Sequence, residues 1–238
     1  MRPAQARCFA AGSAALAIAV SPTFHRMADD SLTGHMAQHV ILLTVVAPLL
    51  ALGATVPGLL WGLPSSLRSR LHPLWQRAVR SAAGTGWSTW VAATVVIQAA
   101  VMWVWHAPVL YEAALHNDAL HLVEHASFVM SSTTMWWALA GGRRSRRGAA
   151  TIAVFVAAFP GTALGAGLLL APRPWYPSYG SGDGGLHDQQ LAGVVMWSFA
   201  GLIYVIAAVV LFGRWLATSD GSQPDRRHAP IESMGETV

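Results

Sequence analysis

The sequence predicts an all-α fold, a polytopic transmembrane bundle of about six spans with both termini on the cytoplasmic side. Three observations predict it. Of 238 residues, 54% are hydrophobic and 11% charged, where soluble domains carry about 25% charged residues. The apolar residues stand in blocks comparable to the roughly 20 residues that cross a bilayer as a helix. The arginines, finally, favour alternate loops between those blocks.

The first block, residues 4–21, follows Arg2 and carries Arg7; its short apolar stretch also has the form of a signal peptide. Either reading leaves the remaining topology unchanged. The second block, 35–56, ends before Pro57 and Pro64, which cannot continue a helix. Residues 57–85 form a connection to the third block, 86–105, which closes in MWVW. The fourth block is 118–140, the fifth 148–171 and the sixth 187–213. Residues 141–148, GGRRSRRG, read as a short basic turn. Residues 172–186, rich in Pro and Gly, read as an irregular loop. The whole of 1–213 is one transmembrane helical domain, and 214–238 is a polar cytoplasmic tail of disordered character.

All fifteen basic residues are arginines. With six spans, thirteen fall on one side and only Arg26 and Arg173 on the other. The positive-inside rule places the thirteen in the cytoplasm. A net charge of +4 raises the question of nucleic acid, but these arginines sit in short loops, so the partner they imply is the lipid bilayer. Eleven tryptophans suit interfacial belts. Cys8 is the only cysteine, which excludes an intrachain disulfide and any multi-cysteine metal site.

The chain has ten histidines, and the same topology puts eight of them at outer loops or outer helix ends; only His72 and His228 fall inside. Two spacings stand out. His35, Gln38 and His39 lie at i, i+3 and i+4, and His121, Glu124 and His125 repeat the arrangement. At about 100° per residue these positions share one helix face. Polar groups at membrane depth turn into the bundle, so two such faces could meet and present up to four imidazoles. His106 adds a fifth at the outer end of the third block. Met36 is a possible soft ligand, and Asp188 opens the sixth block with Gln189 and Gln190. Imidazole suits copper, zinc, iron and nickel, while thioether leans towards Cu(I).

Each feature has a plainer reading. The paired faces can serve as interhelical hydrogen bonds, His106 as an interfacial hydrogen bond, Asp188 as an N-cap, and Glu124 as an imidazole-orienting carboxylate. Lone outer histidines such as His25, His116 and His187 are ordinarily solvated. Residues 121–125 also match an HxxEH peptidase string, but one five-residue match in a membrane helix is weak. Facing histidines can hold haem, which makes a haem-binding redox protein one alternative. A metal transporter is another, although below the outer third only Thr44, Gln98 and a few hydroxyls would line a path.

Five blocks resemble, in order, the CtaG family of membrane cytochrome c oxidase assembly factors. They are HMAQHVILLTVVAPLLALG (35–53), WHAPVLYEAAL (105–115), HLVEHASF (121–128) with WW (136–137), LGAGLLLAPRPWYPSY (164–179) and DQQLAGVVMW (188–197). The resemblance spans about residues 32–213. It implies a non-enzymatic, multi-pass chaperone of a bacterial plasma membrane that helps to make a haem–copper oxidase and handles copper. Its partners would be cytochrome c oxidase subunits. The matching positions are His35, Met36, Gln38, His39, Trp105, His106, Pro108, His121, Glu124, His125, Asp188 and Gln189. The expected copper ligands are His35, His39, His106, His121 and His125, at an outward-facing site. Met36, Gln38, Glu124 and Asp188 would be weaker ligands or would orient the imidazoles. The remaining alternative is a scaffold for oxidase assembly that holds no metal.

Overall fold

The computed structural model describes residues 3–53, 65–84, 86–141 and 147–219. These are almost entirely helical, with no strand among them. Helix α1 is Pro3–Ala19 and α2 is Pro22–Asp30, and the two meet at a bend of 49°. Helix α3, Leu32–Gly53, contains a π-helical turn at Leu42–Val46. Helix α4 is Ser65–Gly84, α5 is Trp87–Trp105 and α6 is Pro108–Leu115. Helix α7 is Asp118–Ala140, α8 is Arg147–Leu170 and α9 is Asp183–Ser219.

Four of these, α3, α5, α8 and α9, are long and apolar enough to cross a membrane. The bent pair α1–α2 makes a fifth candidate. The sequence predicts a sixth over 118–140, where the structure has a helix of 23 residues. Two histidines, a glutamate and a run of serines and threonines make α7 less apolar than the others. The connection predicted over 57–85 contains a helix, α4, with Pro73 inside it. Helix α9 runs on through residue 213 to Ser219. The rest of the tail and most of the basic turn at 141–148 lie outside the described residues.

Proline explains the π turn in α3. The Ala47 N–H bonds to the Leu42 carbonyl, five residues back. The next residue, Pro48, has no N–H, so the Leu43 carbonyl is left without a donor within its own helix. Helix α7 supplies two: Ser132 Oγ donates to it at 2.8 Å and Trp136 Nε1 at 3.2 Å. These bonds staple α3 to α7 one turn below His39, and π turns of this kind cluster at functional sites.

The N-terminus of α3 is fully capped. Ser31 Oγ accepts from Gly34 N at 3.0 Å, and Asp188 of α9 accepts from Leu32 N at 2.7 Å and Thr33 N at 3.2 Å. Asp188 also accepts from Thr33 Oγ1 at 2.6 Å. Orphan first-turn donors normally need such partners, and a carboxylate there also meets the positive end of the helix dipole. Asp188 is therefore not the N-cap of its own helix, one reading the sequence allows; it caps α3 from across the bundle.

Glycines set the closest helix contacts. A Cβ on Gly193 of α9 would stand 2.6 Å from the Gly165 carbonyl oxygen of α8. One on Gly165 would stand 2.8 Å from the Gly193 oxygen. Small residues at such crossings are what let membrane helices approach. Gly193→Val is expected to force the pair apart and to cost about 1–3 kcal/mol, read as a lower unfolding temperature in detergent. Gly201→Val, where a Cβ meets nothing within 4 Å, should leave it unchanged.

Candidate metal centre

The helix ends that carry the polar residues meet at one end of the bundle: the start of α3, the end of α5, the starts of α7 and α9, and the loop before α9. Helix α5 stops at Trp105 because Ala107 precedes Pro108, which disfavours helix there. The turn leaves His106 facing inward, 2% exposed. Asn117 caps α7, accepting from Ala119 N and Leu120 N, and so sets the direction from which His121, Glu124 and His125 enter.

His35, His39, Glu124 and His125 each place one donor atom within 4.8 Å of the other three. His35 Nε2 lies 3.0 Å from His39 Nε2, and His39 Nε2 lies 3.7 Å from Glu124 Oε1. Ligands bonded at about 2.0–2.1 Å stand at most about 4 Å apart across one ion. Small side-chain rotations would close this set on a single cation. His35, His39 and Glu124 are buried; His125 is half-buried with its Nε2 enclosed.

The proton positions follow from the loop. Tyr179 donates its only hydroxyl hydrogen to the Ala28 carbonyl at 2.8 Å, so at 2.8 Å it accepts from His35 Nδ1. Burial raises the Tyr179 phenol well above its ordinary pKa, which keeps that hydrogen in place. A neutral His35 then carries its hydrogen on Nδ1 and its lone pair on Nε2, directed at His39. His106 is set in the same sense: its Nδ1 donates to the Met102 carbonyl at 2.8 Å, and Nε2 is buried with no partner. Burial pushes the His106 pKa down to about 4, so the ring is neutral at ordinary pH. The His106 and His39 ring centroids are 5.3 Å apart.

His121 is half-buried on the outer side of the cluster, its ring 4.2 Å from that of His125 and 5.2 Å from that of His35. Gln38 points elsewhere; its Nε2 donates to the Ala19 carbonyl of α1 at 2.7 Å. Met36 is fully buried in the apolar core with Leu32, Tyr111 and Phe128. Asp188 acts on the cluster only through the cap of α3.

The sequence places the site at an outer, water-facing position. The structure covers it, with a loop and α2 laid across this end. Gln189, 1% exposed, accepts from Trp175 N at 2.6 Å and donates to the Leu168 carbonyl at 3.2 Å, which pins the loop. Glu112 of α6 accepts from Ser178 N at 3.2 Å and from Ser178 Oγ. Tyr176 is buried and donates to the His106 carbonyl at 2.7 Å. Sequence reasoning gave these tyrosines no role. The signal available was two tyrosines in a polar loop that falls within a family-like block.

A family model for the cytochrome c oxidase caa3 assembly factors, Caa3_CtaG, matches residues 1–218. The chain belongs to that family. The match takes in α1, which the resemblance over 32–213 leaves outside. No curated protein and no solved structure matches the chain. The match places the chain's role at the level of oxidase assembly.

The cap of α3 gives a direct test. Asp188→Ala removes the acceptor of three hydrogen bonds and should lower stability by roughly 1.5–3 kcal/mol. Asp188→Asn, itself a competent cap, should recover most of it. Thermal unfolding of both variants decides; equal losses would mean that the charge, not the cap, holds α3.

Proposed function

We propose that this assembly factor binds copper at His35, His39, Glu124 and His125 and delivers it to a cytochrome c oxidase subunit. His106 and His121 flank the ion and enter its coordination during transfer. The site faces the extracytoplasmic side of a bacterial plasma membrane in a six-span, N-in and C-in topology, with α1 and α7 as the additional spans. This orientation rests on the arginine distribution. The protein acts as a chaperone, not a catalyst.

One observation carries the reading. Both Glu124 oxygens, His39 Nδ1, His106 Nε2, His121 Nε2 and His125 Nε2 are enclosed and lack any hydrogen-bond partner. Buried polar atoms are nearly always satisfied, and leaving one bare costs about 1–3 kcal/mol. A cation held between His39 Nε2, Glu124 and His125 accounts for a bare Glu124 oxygen and His125 Nε2 at once. Imidazole with carboxylate suits copper among a few other metals, and the oxidase family selects copper among them. A site without thiolate also releases its ion more readily than a cysteine site would.

Haem fits less well. A wide macrocycle would have to fit between facing imidazoles of α3 and α7, and the His39 and His125 rings already stand only 5.2 Å apart, centroid to centroid. Phe128, whose ring is 4.8 Å from that of His39, fills the adjoining space. A transport path fits less well too. The polar residues Thr44 and Gln98 border a void of only about 20 Å³, room for about one water, whose lining is otherwise mostly apolar, with Leu43, Met102 and Met196.

Purified protein titrated with copper against a competing chelator tests the proposal. Glu124→Gln should weaken binding about 10–100-fold, and His35→Ala/His39→Ala should weaken it further. Oxidase made in cells carrying these variants should be poor in copper and activity. Wild-type protein binding no more copper than His35→Ala/His39→Ala/His125→Ala would sink the copper reading. Normal oxidase maturation by that variant, but not without the protein, would favour a metal-free scaffold.

A further inference from the structure

His25 lies on α2, which Gly34 allows to rest directly on α3: a Cβ there would stand 2.2 Å from the Met27 carbonyl oxygen. That packing brings the His25 ring to 5.4 Å from the ring of His121, tilted by 32°. His25 Nε2 is 3.9 Å from Asp29 Oδ2, and these side chains are 47% and 57% exposed. An exposed i,i+4 pair of this kind adds little stability. His25, Asp29 and Asp118 of α7 all lie within electrostatic reach of His121. His121 itself has an enclosed Nε2 without a partner.

The imidazoles therefore form a graded series. His25 is exposed, His121 and His125 are half-buried, and His35, His39 and His106 are buried. Successive ring centroids are 5.4 Å (His25–His121), 4.2 Å (His121–His125) and 5.2 Å (His125–His39). An ion held by one nitrogen of each of two imidazoles, at about 2.0–2.1 Å, spans centroids up to about 6 Å apart. Each neighbouring pair falls within that reach.

We infer that His25, Asp29 and His121 form an outer capture site for the copper ion, from which it passes inward through His121 and His125 to the buried cluster. The inference rests on the copper reading of that cluster. Asp29, 3.9 Å from His25 Nε2, draws the cation electrostatically, and His25 with His121 gives it two nitrogens. Each inward step forms a new metal–imidazole bond as an outer one breaks, so the ion stays liganded from the surface to the cluster. The oxidation state does not change. This answers how an ion reaches a cluster covered by the loop and α2. The loop side is closed by the Tyr176, Tyr179 and Gln189 bonds, whereas His121 leads to the surface at α2.

Cu(II) binding to the full chain in detergent tests this by stoichiometry and by stopped-flow quenching of tryptophan fluorescence. Wild type should take one tight and one weaker copper. His25→Ala/Asp29→Asn should lose the weaker one and load the tight one about tenfold more slowly, at unchanged final affinity. His35→Ala/His39→Ala should keep only the weaker copper. If His25→Ala/Asp29→Asn loads at the wild-type rate with wild-type stoichiometry, the capture site is wrong and the inner site stands. If wild type binds a single copper, lost in His25→Ala/Asp29→Asn but kept in His35→Ala/His39→Ala, the inner site is wrong and only the outer one remains. Both altered side chains are exposed, so matching unfolding temperatures confirm intact folds.

Discussion

The Leu43 carbonyl accepts hydrogen bonds from both Ser132 and Trp136, and the register of the two histidine-bearing helices depends on that bridge. Lipid supplies no hydrophobic drive to hold one apolar helix against another, so polar bonds and close packing must do it. A one-residue slip of α7 past α3 would turn His121, Glu124 and His125 by about 100° away from His35 and His39. Pro48 makes the bridge possible, because its missing N–H releases the carbonyl that α7 then uses. The same break in α3 that would weaken an isolated helix thus fixes where the site forms.

Above the bridge, elements from across the chain converge on the cluster. Helix α1 is tied to α3 by Gln38 and the Ala19 carbonyl. Helix α2 is tied to His35 through Tyr179 and Ala28, and α9 caps α3 through Asp188. The loop before α9 is tied to His106 by Tyr176. Each link has a polar atom of one element satisfied by another element, so the scaffold is well paired. Gln38 Oε1, Trp90 Nε1, Tyr111 OH and Thr133 Oγ1 are also buried without a partner, but only at His39, His106, His121, Glu124 and His125 do such atoms gather on groups that can ligate a metal.

Much of this was legible in the sequence. The helical class followed from block length, and the facing of His35/His39 with His125 and Glu124 followed from the i, i+3, i+4 spacing, because that spacing defines a face whatever it packs against. Other features depend on three-dimensional proximity that spacing does not encode. Asp188 looks like a cap for the helix it sits on, and only the tertiary arrangement shows that it caps α3. Gln38 shares a face with His35 and His39 but reaches sideways to α1. Tyr179 and His25 act through contacts with residues about 100 or more positions away, so a reading along the chain passes over them. The residues that make the site also make α7 less apolar than α3, α5, α8 and α9.

The convergence also governs how any alteration of the cluster should be interpreted. Removing a buried ligand leaves its former partners more exposed to an unpaired environment, and loss of one member of such a group destabilises by several kcal/mol in its own right. His35 is both a donor in the cluster and the partner of Tyr179, so His35→Ala perturbs α2 and the loop as well as the metal. Glu124 has no hydrogen-bond partner to lose through its carboxylate. Glu124→Gln keeps the size of the side chain while replacing one ligating oxygen with an amide nitrogen, and so separates ligation from architecture more cleanly than any histidine replacement. In a site where scaffold and ligands share residues, the member with the fewest structural ties is the most informative one to change.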